Sequence, residues 1–362
     1  MPRIRSDIAL LSPYVPGRSI EEVAAEVGLR PEEMVKLASN ECPEGPFPGV
    51  IEAAATGLVG SNRYPDNDHR RLSAAVAGWL GVSEDRLWFG SGSVGLISHI
   101  ALAVGGPGTS AVYAWPSFVM YRIATRWAMT EAIEVPLDEA HRHDLDGMLE
   151  AIRDDTTVVY VCNPNNPTAT VVEASEMAAF IESVPESVLI VVDEAYHDYV
   201  TGSGYATTVP HALERDNVVV LRTFSKVFAL AALRVGYAVA DPATIVELRK
   251  AQAPFTVTDV AQIAATASLA DPAELQRRIE ANAAARHHLL GAIAERSLSH
   301  TESHTNFVYL EVPLPADAAA EMLGGRGVIV RPMSGGWLRV TIGTPAENQR
   351  FLVALDEVLA GP

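Results

Sequence analysis

Three short runs of Val, Ile and Leu end on residues whose side chains can do chemistry. Thr157–Val161 runs into Cys162-Asn163-Pro164-Asn165-Asn166-Pro167-Thr168, a turn-forming string that fixes amide side chains between prolines. Val188–Val192 ends in Asp193-Glu194-Ala195-Tyr196, and Val218–Leu221 ends in Arg222-Thr223-Phe224-Ser225-Lys226, with Arg234 eight residues beyond the lysine. Ligands of an open parallel sheet bind beyond the carboxyl ends of its strands, so these ends offer an amide, a carboxylate and an amine to one place. Taken singly, an Asp there is commonly a helix cap, an Asn-Pro pair a turn and a lysine an exposed charge. Together they meet the needs of pyridoxal 5'-phosphate (PLP). That cofactor requires an amine for its imine, a carboxylate that keeps the pyridine nitrogen protonated, and an anion site for its phosphate. Lys226 is the candidate imine former and Asp193 the ring-nitrogen partner. Asn166 and Tyr196 are placed to hydrogen-bond the phenolic oxygen, while Ser225 and the two-pronged guanidinium of Arg234 suit the phosphate.

An earlier segment, Leu87-Trp88-Phe89-Gly90-Ser91-Gly92-Ser93-Val94-Gly95, fits G-x-G-x-x-G and precedes an apolar helical stretch, Leu96–Val104. A dinucleotide fingerprint also needs an acid about 20 residues on, at the end of the next strand. That strand ends instead in Trp115-Pro116-Ser117-Phe118. What remains is a helix N-terminus whose amides at Gly92, Ser93 and Val94 would bind a phosphate, with Phe118 or Trp115 available to stack on a flat ring. A glycine turn followed by core aromatics is the plain alternative for this segment alone.

The elements that must position these groups read as an alternation of strand and helix. Apolar runs at Ser110–Tyr113, Thr157–Val161, Val188–Val192, Val218–Leu221 and Val235–Val239 are strands buried on both faces, separated by helical periodicity at Ala174–Ser183 and Thr208–Glu214. A mainly parallel α/β sheet flanked by helices follows. Beyond Pro254 long helices (Val260–Ala270, Glu274–Arg296) precede strands near Asn306–Glu311, Val328–Arg331 and Trp337–Ile342, an α+β pattern. The division expected is a large domain over residues 36–253 and a small one from residues 1–35 and 254–362, the N-terminal arm lying against the C-terminal part or a partner subunit.

At 362 residues the chain exceeds one ordinary core, and 48% hydrophobic residues suffice to bury two. With 27 Lys and Arg against 45 Asp and Glu, the formal charge of -18 repels nucleic acid and anionic membrane surfaces. Two cysteines, Cys42 and Cys162, exclude a disulfide scaffold and suit the cytoplasm, and no apolar run approaches the roughly 18 residues of a membrane span. His141 with His143, and the adjacent His287 and His288, have no metal-ligand spacing and are expected to face solvent.

The strings Lys36-Leu37-Ala38-Ser39-Asn40-Glu41, Asn62-Arg63-Tyr64-Pro65-Asp66, Cys162–Thr168, Asp193–Tyr196, Thr223–Lys226 with Leu233-Arg234-Val235-Gly236-Tyr237, and Leu338-Arg339-Val340-Thr341-Ile342-Gly343 occur in one order. They resemble fold-type I PLP-dependent aminotransferases, in particular the histidinol-phosphate aminotransferase subgroup and its aromatic amino acid aminotransferase relatives, from about Tyr14 to Gly343. The resemblance implies a Schiff base at Lys226, Asp193 at the ring nitrogen, Tyr196 in the catalytic group, and Phe118 stacked on the ring. It also implies that Tyr64 reaches the phosphate in a neighbouring subunit, hence a homodimer with shared sites. Tyr14, Asn40, Arg331 and Arg339 would bind substrate, Arg339 holding its carboxylate, or Tyr14, Arg331 and Arg339 converging on the phosphate of histidinol phosphate. Ala169, Ala229 and Ala232 stand where the family often has glycine, which suits backbones of negative φ or mild strain. Cys42 replaces a common Asn and reads as a small buried residue.

The activity implied is transfer of an amino group between an aromatic L-amino acid and a 2-oxo acid such as 2-oxoglutarate, because Trp115-Pro116-Ser117-Phe118 and Cys162–Val172 resemble the aromatic branch. Histidinol phosphate is the alternative substrate. A PLP-binding regulator would need an added basic domain. A nicotinamide dehydrogenase lacks its ribose acid, and a PLP decarboxylase or lyase shares the cofactor and is separable by its products.

Overall fold

The computed structural model describes residues 5–9, 16–202 and 204–361. Tyr14 lies outside them. The strands in chain order are β1 (Val35–Lys36), β2 (Leu87–Gly90), β3 (Ser110–Trp115), β4 (Glu131–Pro136), β5 (Thr156–Cys162), β6 (Leu189–Asp193), β7 (Val218–Thr223), β8 (Gly236–Val239), β9 (Phe307–Glu311), β10 (Val328–Ile329), β11 (Arg331–Pro332) and β12 (Trp337–Thr341). Seven of them form one sheet in the order β2-β8-β7-β6-β5-β3-β4. The pairs among β3 to β7 are parallel, whereas β8 runs antiparallel to both β7 and β2.

The continuous apolar runs make sense in that sheet because helices cover both faces. Val159, Val161, Ile190 and Val192 point into a cluster with Met177, Phe180 and Ile181, and Val158, Tyr160, Val191 and Val219 into one with Leu96, Ile97 and Ile100. Each such aliphatic side chain, withdrawn from water, contributes about 1.5–3 kcal/mol. The helix Ala174–Ser183 starts where Glu173 and Glu176 form a reciprocal capping box. Two further strands complete the sheet. At β4 only Val135 is buried in an edge sequence containing Glu131 and Glu134, and β2 is a four-residue strand inside the glycine segment.

The reversal at β8 matters most for the site. Residues 224–235 contain no α-helix to cross over the sheet, so the chain returns beside β7 instead of beyond it. That short return holds Ser225, Lys226 and Arg234 together at one edge of the strand ends.

The smaller sheet has the order β11-β12-β9 and is antiparallel throughout. Helices Pro272–Glu295, Ala316–Gly324 and Pro345–Leu359 pack on it through Leu289, Ile293, Leu323, Phe351 and Leu355. β1 pairs in parallel with β10, and Val23 and Ala24 of the preceding helix pack with Ile329, which lays the N-terminal arm against the C-terminal part.

Three local expectations are revised. Ala169 and Ala229 adopt φ of 64° and 57°, so both sit in the left-handed region where a Cβ is penalised, while Ala232 does not. His143 is buried, not solvent-facing, since Asn165 Oδ1 accepts from its Nε2 at 3.2 Å. Burial holds that imidazole near 4, well below its ordinary 6.5. Cys42 is half-buried, with Arg278 Nη1 3.5 Å from its sulfur.

Candidate active site

A cleft of about 680 Å³ opens at the carboxyl ends of β5, β6 and β7 and is closed on its other side by residues near β1 and β12. Asn40, Phe118, Asn166, Asp193, Tyr196 and Lys226 all line it. So do Ser93, Val94, Ser225 and Arg234 at one end and Arg331 and Arg339 at the other. The sequence contains three lysines, at positions 36, 226 and 250. Lys36 pairs with Glu41 and Lys250 with Glu247, and Lys226 alone lines the cleft.

Lys226 Nζ donates to the Asn40 carbonyl at 3.2 Å and lies 5.4 Å from the centre of the Tyr196 ring. Withdrawal from water, and then the nearby Arg339 cation, bring its pKa down from 10.5 to about 8. Asp193 at the end of β6 is 1% exposed; its Oδ1 accepts the Ala195 amide at 3.1 Å and its Oδ2 the Tyr121 hydroxyl at 3.2 Å. Burial raises this carboxyl to about 6 against those hydrogen bonds, which makes it a carboxylate that gains by facing a cation. Directly behind it Glu194 forms a buried ion pair with Arg222, whose Nη2 lies 2.8 Å from Oε2.

The residues present fit PLP. Asn166 Oδ1 accepts from Arg339 Nη1 at 2.6 Å, leaving the amide nitrogen to donate, and the Tyr196 hydroxyl accepts from Asn40 Nδ2 at 2.9 Å, leaving its own hydrogen to donate. Two donors are thus available for the phenolic oxygen of such a cofactor. At the opposite end the helix Gly92–Val104 begins without a side-chain cap, so its first amides remain for an anion. The Ser225 hydroxyl accepts from Thr223 Oγ1 at 2.9 Å and faces Arg234 Nη1 at 3.4 Å. Glycine is required on both sides of this cradle: a Cβ on Gly92, at φ 69°, would lie 2.7 Å from Arg234 Nη2, and one on Gly236 would lie 2.9 Å from the Ser93 nitrogen.

Arg331 and Arg339 are directly paired across β11 and β12. Like charges opposite one another on a sheet repel, and an anion between them relieves that repulsion. Asn40, expected with the substrate, spends its amide on Tyr196, and its carbonyl accepts Lys226 Nζ and, at 3.1 Å, Asn306 Nδ2. Tyr64 does not line the cleft of its own chain; it is 83% exposed and stacks on Phe255 with ring centres 4.7 Å apart. Tyr121 and Asn306 were not among the residues expected at the site, and Thr223 stood there only as part of a motif. Tyr121, three residues after Phe118, carries no mark of its own in residue type, and Asn306 reaches Asn40 across 266 positions and left no local signal.

The signature of the family described as Aminotransferase class I and II spans residues 32–355. The chain belongs to that family. It is a PLP-dependent aminotransferase of the histidinol-phosphate aminotransferase-like group. It is 42% identical to an aromatic amino acid aminotransferase from Rhodococcus jostii over 97% of this chain and 94% of the relative. It is also 42% identical to a histidinol-phosphate aminotransferase from Halalkalibacterium halodurans over 99% of this chain and 97% of that one. Among solved structures, the histidinol-phosphate aminotransferase of Sinorhizobium meliloti in complex with pyridoxal-5'-phosphate superposes with a TM-score of 0.90 at 27% identity, covering 99% of this chain and 98% of that chain. Such an aminotransferase needs a PLP pocket and a pocket for amino and oxo acids. Among the described residues no helix is long and apolar enough to cross a membrane.

Proposed function

We propose that this aminotransferase moves an amino group between an aromatic L-amino acid (Phe, Tyr or Trp) and a 2-oxo acid such as 2-oxoglutarate. The observation that carries the reading is the cleft wall: Trp115, Phe118, Val119, Ile123 and Met333 present apolar and aromatic surface on the same cleft as Arg339. A flat side chain gains by leaving water there while its carboxylate meets the guanidinium. PLP, when bound, supplies an aldehyde that condenses with amines and a protonated ring that accepts the electron pair released at the α-carbon. Asp193 keeps a negative charge opposite the ring nitrogen, and Asn166 and Tyr196 donate to the phenolic oxygen. Ser225, Arg234 and the amides of Ser93 and Val94 hold the phosphate. Phe118 covers the ring face. Lys226, in its neutral amine form, takes the α-carbon proton at Nζ and delivers it again as a general acid.

A second reading has its own observation, the Arg331–Arg339 pair, which suits a doubly charged phosphate and so histidinol phosphate. Half-reactions followed by loss of the enzyme's visible absorbance separate the two. The aromatic reading expects phenylalanine or tyrosine to exceed histidinol phosphate in kcat/KM; a large preference for histidinol phosphate overturns it.

We also propose a homodimer with shared sites, in which Tyr64 reaches the partner's phosphate. Supporting it is an apolar groove formed by Pro46, Val50, Ile51, Ala54, Leu58 and Leu233, with Ile51 69% and Leu58 60% exposed. Mixing Tyr64→Phe with Lys226→Ala protein should restore part of the activity in hybrids; no recovery removes the shared site. The separate apolar clusters of the two sheets support two domains, and we propose the division into residues 36–253 and residues 1–35 with 254–362, with Val257, Ala261, Ala264 and Ala265 beyond that boundary packing back on the larger sheet's cluster; limited proteolysis near residue 254 would test it.

A further inference from the structure

Tyr121 belongs to none of the groups assigned above, yet its ring and hydroxyl join two of them. It is 0% exposed, on the helix Met120–Trp127, with its ring stacked on Tyr160 at 5.0 Å and edge-on to Phe118 at 5.8 Å. Its hydroxyl lies 3.2 Å from Asp193 Oδ2, the carboxylate oxygen not used by the Ala195 amide. The Cys162 thiol also faces that hydroxyl, but burial pushes it up to about 12, so it stays a thiol and Asp193 is the carboxylate the hydroxyl meets. Burial and the adjacent carboxylate raise the phenol well above 10, so it stays protonated and donates at every working pH. A buried carboxylate with one donor would protonate readily or turn away from the cleft; two donors, one on each oxygen, fix both its charge and its plane.

We propose that Tyr121 is a positioning residue that acts through Asp193: its hydroxyl holds the carboxylate ionised and aimed at the ring nitrogen, while its ring seats Phe118 against the ring face. The proposal rests on Asp193 being the ring-nitrogen partner. It makes Tyr121 the link between two contacts to the cofactor, so its loss reads out in cofactor binding before any turnover.

The test titrates apoenzyme with PLP and with the analogue in which carbon replaces the ring nitrogen, following absorbance, for wild type, Tyr121→Phe and Asp193→Asn. Phenylalanine keeps the stacked ring and removes only the hydroxyl. Tyr121→Phe should weaken PLP by about tenfold, the size of one hydrogen bond to a charged group. It should leave the carbon analogue within about twofold, since that ligand draws nothing from the Asp193 charge. Equal weakening of both ligands would reduce Tyr121 to packing and overturn the proposal, as would unchanged PLP binding. Asp193→Asn separates the two levels of the argument. If it abolishes the preference for PLP over the carbon analogue and Tyr121→Phe leaves that preference intact, only the role of Tyr121 falls. If Asp193→Asn also leaves it intact, the assignment of Asp193 falls and takes the proposal with it.

Discussion

Lys226 is the group whose protonation the cleft alters most usefully, and the consequence is measurable on the apoenzyme. An ordinary lysine at 10.5 is neutral in about three molecules per ten thousand at pH 7, and one brought down to about 8 is neutral in about one of ten. Only the neutral amine attacks an aldehyde. The rate of cofactor capture should therefore rise about fivefold from pH 7 to 8 and level off above pH 9. An unshifted amine would still be gaining about tenfold per unit there. Desolvation is the leading cause of the shift and the Arg339 cation the next, so Arg339→Gln should move the midpoint upward. Asp193 titrates near 6, below the window used. Stopped-flow mixing of apoenzyme with PLP between pH 7 and 10, monitored by absorbance, measures both proteins. A capture rate that keeps climbing through pH 10, or an Arg339→Gln midpoint below that of wild type, would refute the reasoning.

Gly236→Ala places a Cβ 2.8 Å from the Arg222 carbonyl oxygen and 2.9 Å from the Ser93 nitrogen, both backbone atoms that cannot step aside. It should weaken PLP by at least about tenfold, measured by absorbance titration, because the phosphate loses an amide donor. Glu194→Ala leaves the Arg222 guanidinium buried without its carboxylate and should cost about 3–5 kcal/mol in urea unfolding of the apoenzyme, with Glu194→Gln costing less. His143 binds its proton less readily folded, near 4, than unfolded, near 6.5. Its contribution is complete above pH 6.5 and is lost as pH falls toward 4, by up to about 1.4 kcal/mol per pH unit. His143→Gln should flatten the fall in stability over that window, with a remaining slope from His69, which burial also holds near 4.

The site's chemical core was legible because a parallel sheet announces its strand ends: a buried apolar run followed by a polar residue is a local pattern, and Asn166, Asp193 and Lys226 each stand just past one. The phosphate cradle was legible as glycines before an apolar helix. Residues that act from behind were not. Tyr121 reads as one more aromatic of a half-buried helix until the end of β6 is seen beside it, and Asn306 meets Asn40 only because β12 and β9 bring the smaller sheet onto the cleft. β4 was hidden by glutamates that an edge strand tolerates. The positive φ at Ala169 and Ala229 is invisible in residue type, because alanine carries no mark of a left-handed backbone.

One amine must hold the cofactor for Lys226 to act as proposed. Borohydride reduction of the PLP-loaded protein, followed by proteolysis and mass spectrometry, reads this directly among three lysines. The expected result is a phosphopyridoxyl adduct on the peptide carrying Lys226, with Lys36 and Lys250 unmodified. An adduct spread over Lys36 or Lys250, or none on Lys226, would contradict it.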